Sequence, residues 1–198
     1  MHRSHLGKDK KLKKIISKQE SFVLQQRKNV YLQLCNSIIS QQLSTKVAAV
    51  IQKRFIDLYK KTPGPQQILD TSVESLRSIG FSNAKASYVH NVCNFFIEHK
   101  LTDARLAKMS NEEIIELLTQ IKGIGKWTVE MILMFTLGRE DVFAVDDLGI
   151  QQSVTKLYEL DASDKKVMKQ RMLQISESWS PYRTYACRYL WGWKDGQE

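Results

Sequence analysis

Two short stretches of this chain hold residue types and spacings that could do chemistry. The first is the acidic pair Asp146-Asp147 in "AVDDLGIQQSV", at the head of a run with helical spacing. A carboxylate at a helix start can cap backbone amides and is favoured there by the helix dipole. The same group can stabilise a cationic centre or direct a water. The second stretch is Lys122-Gly123-Ile124-Gly125-Lys126, inside "QIKGIGKWTVEMILMF". Glycine permits positive φ and close approach of another chain. A turn of this kind can expose several amides at the start of the following helix, where they and the dipole suit a phosphate oxygen. Lys126 adds a positive charge, and Ile124 is expected to tuck inward and pin the flanking helices. Such a turn grips a backbone phosphate without reading a base. Each stretch also has a plainer reading: two helix-start acids, and a tight helical hairpin.

The elements that must hold these residues read as helices throughout. Apolar residues recur at three- and four-residue spacing in Val30, Leu34 and Ile38, and in Val47, Val50, Ile51, Phe55 and Leu58. "KTPGPQQ" is a break. Thr71 with Glu74, and Ser110 with Glu113, have capping-box spacing. Gly80 makes a turn and Ser82 caps the long helix that follows. Further helices are predicted at about Lys126–Leu137, Leu148–Tyr158, Asp164–Ser178 and Tyr182–Trp193. No repeat, low-complexity segment or sustained alternation interrupts this pattern, so the fold class is all-α.

Composition narrows the function classes. In 198 residues the net charge is +9, and residues 1–30 hold nine Lys/Arg against two Asp/Glu. That excess reads either as a solvated basic arm or as part of a polyanion-binding surface. Residues 1–28 are accordingly taken as a basic N-terminal arm or first helix, and residues 29–198 as a compact helical domain. No stretch approaches the roughly 18–20 apolar residues of a membrane span. No apolar signal-peptide core follows the first charges. The expectation is a cytoplasmic or, in a eukaryote, nuclear protein, not secreted and without a membrane partner. Cys35, Cys93 and Cys187 are scattered, which argues for reduced thiols. They form no close group for zinc or an iron–sulfur cluster, and the four histidines are dispersed.

"LLTQIKGIGKWTVEMILMF" followed by "DVFAVDDLGIQQSV" resembles the helix–hairpin–helix and Gly/Pro-Asp signature of a DNA glycosylase superfamily. Three further blocks agree in order: "LCNSIISQQLSTKVA", "LRSIGFSNAKASYV" and "WSPYRTYACRYLW". Within the superfamily the chain is similar to the alkylation-repair branch, 3-methyladenine DNA glycosylase II. The resemblance covers roughly residues 30–193. It departs from the pattern in having "AVDD" where a proline often precedes the acid. It also lacks the iron–sulfur loop of another branch and has no room for an extra N-terminal α/β domain.

The resemblance implies a two-lobed helical fold with DNA and base pocket at the cleft between lobes, and a helix–hairpin–helix at about residues 112–137. Its activity would be excision of flipped-out alkylated purines from double-stranded DNA by a monomer, with Asp147 catalytic and Asp146 capping the helix. A carboxylate suits the oxocarbenium character that develops on the sugar. A base must leave the stack before that bond can be reached. Trp127, Trp191 and Met131 are implied in the base pocket or in support of the aspartate, since aromatic faces attract cationic alkylated purines. Gly123, Gly125, Lys126 and Thr128 are implied at phosphate, and Gln42 or Leu43 as the wedge that fills the vacated stack. The plainer reading of Gln41–Gln42 is a helix end. Trp179 and Trp193 are assigned to core or edge, and Tyr182, Tyr185 and Tyr189 lie open between core and pocket. No cofactor is implied beyond a structural Na+ or K+ held by the carbonyls of Thr119, Ile121 and Gly123.

Lyase-competent relatives place a lysine two residues after the second glycine, where this chain has Trp127. The lysine here, Lys126, is one residue earlier, about 100° around the helix. That shift argues for a monofunctional enzyme and against a glycosylase/lyase for oxidised bases. The non-enzymatic alternative is a helix–hairpin–helix binding module, which needs neither Asp147 nor the "QQLS" block.

Overall fold

The computed structural model describes residues 1–196. Among them it has thirteen helices and no strand. In chain order these are α1 His2–Leu6, α2 Lys10–Ile16, α3 Val30–Ser40, α4 Thr45–Asp57, α5 Pro65–Leu69, α6 Val73–Ser78 and α7 Asn83–Glu98. Then follow α8 Asp103–Ala107, α9 Asn111–Leu118, α10 Lys126–Phe135, α11 Leu148–Tyr158, α12 Lys165–Glu177 and α13 Arg183–Asp195. The chain divides into two compact units: Arg27–Ile132, and Met1–Gln26 together with the chain from Leu133 onward. None of the helices is long and apolar enough to cross a membrane among the described residues.

In the Arg27–Ile132 unit, α3 buries Val30, Leu34, Cys35 and Ile38 against α7, whose inner face is Ala86, Val89, Val92 and Cys93. Ser82 caps α7 as expected, accepting from the Lys85 amide at 3.2 Å. Ser110 and Glu113 close both limbs of the expected box on α9. Two readings need correction. Ser72, not Thr71, caps α6, and Thr71 donates instead to the Gln67 carbonyl. On α4 the buried face is Ala48, Ile51 and Phe55, while Val47 and Val50, and Leu58 just past the helix end, are exposed. The apolar stripe there is wider than the face that the helix can bury.

The other unit corrects the expected arm. Residues 1–26 are not a separate appendage, because Leu6, Leu12, Ile15 and Ile16 are buried within this unit. Helix α2 packs on α11 and α13. Its lysines Lys10, Lys13 and Lys14 stay exposed on the opposite face. Charge therefore masks an amphipathic element. Asp9 caps α2 and accepts hydrogen bonds from Tyr158 Oη (2.5 Å) and from the indole of fully buried Trp179 (3.2 Å). Burial works against ionisation of Asp9, but these donors and the Leu12 and Lys11 amides outweigh it and lower its pKa. Tyr185 and Tyr189 are core, and His2 stacks on Tyr185 at 3.9 Å. Trp193 is half-buried under Lys156.

Candidate functional site

Asp147 is set by the loop between α10 and α11 and by α13. Thr184, at the start of α13, donates its hydroxyl to the Arg139 carbonyl (2.6 Å) and its amide to the Glu140 carbonyl (2.9 Å). It also accepts from the Val142 amide at 3.1 Å. Arg183 forks onto Asp141, with Nε–Oδ1 2.6 Å and Nη2–Oδ2 2.8 Å, and the Ser180 hydroxyl donates to the same carboxylate. Burial raises the Asp141 pKa, but Arg183 and Ser180 outweigh it and hold the carboxyl below its ordinary value. The apolar run Val142–Val145 then enters the core, and the loop is fixed at both ends.

Asp147 follows that run as the N-cap of α11. Its Oδ1 accepts from the Ile150 amide (2.8 Å) and from the indole Nε1 of Trp191 (2.9 Å). Trp191 lies in turn against Phe135, with ring centroids 5.8 Å apart. Gly149 makes room for the pair: a Cβ there would lie 3.1 Å from Asp147 Oδ1 and from the indole Cδ1 and Nε1. The half-buried carboxylate is therefore oriented by two donors on one oxygen, beside an exposed Leu148. Asp146 does not cap the helix, contrary to expectation. It pairs with Lys169 Nζ at 2.6 Å on the surface. Only one residue can occupy the cap, and the extended backbone at Asp147 (φ −71°, ψ 126°) takes it.

The glycine turn belongs to the other unit. Gly123 has φ +104°, and a Cβ on it would come within 2.5 Å of the Tyr88 ring, so both conformation and packing require glycine. Ile124 is buried, as expected. Gly125 is different: nothing lies within 4 Å of where its Cβ would stand. The first-turn amides that a helix leaves without intrahelical acceptors begin at Gly125 and Lys126, beside this open space. Lys126 Nζ is exposed and sits 3.7 Å from the buried Glu130 carboxylate. Thr128 is 5% exposed, so its side chain faces the core and not a phosphate. Its place on α10 puts it on the buried side with Val129 and Ile132. Trp127, by contrast, is 46% exposed, with the half-buried Met131 one turn on. The carbonyls of Ile121 and Gly123 each accept one hydrogen bond, from the Ile124 amide (3.0 Å) and from Gln41 Nε2 (3.2 Å).

Gln42 lies in the loop between α3 and α4. It is exposed and adopts φ +59°, which L-residues rarely do, while Leu43 beside it is half-buried. Among the described residues, no group of three or more His, Cys, Asp or Glu side chains could hold a metal ion. Cys35, Cys93 and Cys187 are buried thiols. Gly149, Thr184 and Lys85, which bonds the Gln42 loop, were not singled out by sequence reasoning for what they do. The signals were present in "DDLGI", "SPYRT" and "SNAKAS", but their contacts are tertiary.

Comparison with known proteins places this chain in a family. Residues 35–178 match the model for the HhH-GPD superfamily base excision DNA repair proteins. The chain is 37% identical over 195 residues to DNA-3-methyladenine glycosylase 1 of Schizosaccharomyces pombe, covering 96% of this chain and 84% of that protein. A crystal structure of a DNA-3-methyladenine glycosidase from Bacillus halodurans superposes with a TM-score of 0.86 at 35% identity, covering 98% of this chain and 89% of that one. The Schizosaccharomyces pombe 3-methyladenine DNA glycosylase in complex with abasic DNA superposes with a TM-score of 0.81 at 35% identity, covering 100% and 97%. This chain belongs to the HhH-GPD superfamily of base excision DNA repair proteins.

Proposed function

We propose that this protein is a monofunctional DNA glycosylase that excises alkylated purines of the 3-methyladenine and 7-methylguanine type from double-stranded DNA. The observation that carries the reading is the Asp147 carboxylate, fixed by the Ile150 amide and Trp191 Nε1 in a space that Gly149 keeps open. The likeness to the relatives named for 3-methyladenine supports the substrate class.

In this reading the turn at Gly123–Lys126 grips a backbone phosphate, and the flipped nucleotide is replaced in the stack by Gln42. The exposed face of Trp127 stacks on the cationic purine. The glycosidic C1′–N bond breaks, its electron pair leaves with the base, and the sugar develops oxocarbenium character. Ionised Asp147 stabilises that charge. Water then forms the new bond to C1′ and releases a proton to Asp147 or solvent, so the products are free base and an abasic site. In the pattern the chain resembles, Trp127 takes the place of the lysine of lyase-competent enzymes, which supports hydrolytic chemistry without a Schiff base. A monovalent cation on the second lone pairs of the Ile121 and Gly123 carbonyls, with that of Thr119, would add charge toward the phosphate, and no step depends on it.

The test is incubation of the protein with methylated duplex DNA and identification of the released bases by mass spectrometry. Release of 3-methyladenine or 7-methylguanine without strand cleavage supports the reading. Tight DNA binding with no base released overturns it in favour of a binding module.

A further inference from the structure

Three side chains of α7 at helical spacing, Lys85, Tyr88 and Asn91, reach out of their own helix to hold backbone. Lys85 Nζ donates to the carbonyls of Ile39 (2.7 Å) and Gln41 (2.9 Å), at the C-terminal end of α3. These are the residues that lead directly into Gln42. A cation is favoured at a helix C-terminus, where carbonyls point outward unpaired. Tyr88, on the same face, fills the space against Gly123, and Asn91 Nδ2 donates to the Lys122 carbonyl at 3.3 Å. Gln41 Nε2 closes the circuit by donating to the Gly123 carbonyl. One helix thus braces both the Gln42 loop and the glycine turn.

Gln42 needs such a brace. Its left-handed backbone is rarely populated without glycine, and its side chain is exposed. A residue meant to fill a gap in stacked bases must meet that gap already shaped, or ordering the loop weakens binding. Burial lowers the Lys85 pKa, as expected of an ammonium drawn in to serve carbonyls rather than solvent.

We infer that Lys85 is a positioning residue for base extrusion, holding the Ile39 and Gln41 carbonyls so that Gln42 presents its side chain as the plug. The inference rests on the glycosylase reading and on Gln42 as the plug. Its test compares Lys85→Met, Lys85→Arg, Gln42→Ala and the Lys85→Met/Gln42→Ala double variant in the full chain. The readouts are the ratio of Kd for undamaged duplex to Kd for duplex with a tetrahydrofuran abasic analogue, and single-turnover release of 7-methylguanine.

Lys85→Met should lower the ratio about tenfold, the scale of a lost hydrogen bond to a charged group. Gln42→Ala should lower it similarly, the double variant should fall no further than Gln42→Ala, and Lys85→Arg should restore most of the loss. A merely structural lysine would give multiplying effects in the double variant and no rescue by arginine, and that result overturns the assignment. An unchanged ratio in Lys85→Met, with Gln42→Ala impaired, also overturns it while leaving the plug in place. An unimpaired Gln42→Ala overturns both plug and brace, and a wild type that releases no base overturns the glycosylase reading itself.

Discussion

Gly149→Ala is a sharp probe of the site because two effects oppose each other. In a helix, alanine is favoured over glycine by about 1 kcal/mol, so a neutral site would be stabilised. Here the new Cβ would stand 3.1 Å from Asp147 Oδ1 and from Trp191 Nε1, atoms that are themselves 2.9 Å apart. Those separations are tighter than ordinary contact, so the indole or the carboxylate must shift by a few tenths of an ångström. A hydrogen bond to a charged group contributes about 1.5–3 kcal/mol. If that orientation is needed at the transition state, its complete loss in Trp191→Phe slows excision roughly 10- to 150-fold. Gly149→Ala, which strains the bond without removing the donor, should fall near the lower end, about tenfold. The assay is single-turnover release of 7-methylguanine with protein in excess, alongside thermal melting. The double variant should excise no more slowly than Trp191→Phe alone. A Gly149→Ala protein that melts higher and excises at the wild-type rate would refute the argument that the Asp147–Trp191 geometry matters.

Deleting residues 1–18 removes four buried aliphatic side chains, Leu6, Leu12, Ile15 and Ile16. At about 1.5–3 kcal/mol each that is about 6–12 kcal/mol, comparable with the whole stability of a domain, so the truncated chain should lose its cooperative melt by circular dichroism. Asp9 and Asp141 have folded-state pKa values below their ordinary ones. Their contribution is therefore full above the unfolded value of about 3.9 and is lost as pH falls through the folded values. The Tm gap between wild type and Asp141→Asn should be widest near neutrality and narrow in acid, and a gap that widens in acid would contradict the assignment. Lys126→Ala should weaken binding to every duplex and reduce the slope of log K against log salt by about one phosphate's worth, as measured by fluorescence anisotropy across a salt series.

What was legible in the sequence was mostly local. Ser110 with Glu113, Ser82, and the cap-forming acids before "LGIQQSV" announce helix starts because a cap is decided within four residues. Gly123 was legible because a positive φ selects glycine whatever lies elsewhere. Which acid takes the cap was not legible, since Asp146 and Asp147 are chemically identical and one step of backbone separates their fates. The Asp147–Trp191 bond joins residues 44 apart, and the sequence resemblance could place Trp191 near the site but not on Oδ1. Lys85 lies in the block "LRSIGFSNAKASYV", but its bonds to the Ile39 and Gln41 carbonyls exist only once α3 is packed beside α7. In the N-terminal segment, the lysine excess obscured the apolar positions that tie it into a core.

The central claim is that the negative charge of Asp147 drives excision, and Asp147→Asn isolates it. The amide oxygen can still accept from the Ile150 amide and from Trp191 Nε1, so cap and orientation persist while the charge is gone. The measurement is single-turnover release of 3-methyladenine and 7-methylguanine, paired with binding to duplex carrying an abasic analogue. The expected result is retained binding with excision slowed by about two to four orders of magnitude, the scale of about 3–5 kcal/mol of lost transition-state stabilisation. Excision by Asp147→Asn at the wild-type rate would contradict the mechanism outright.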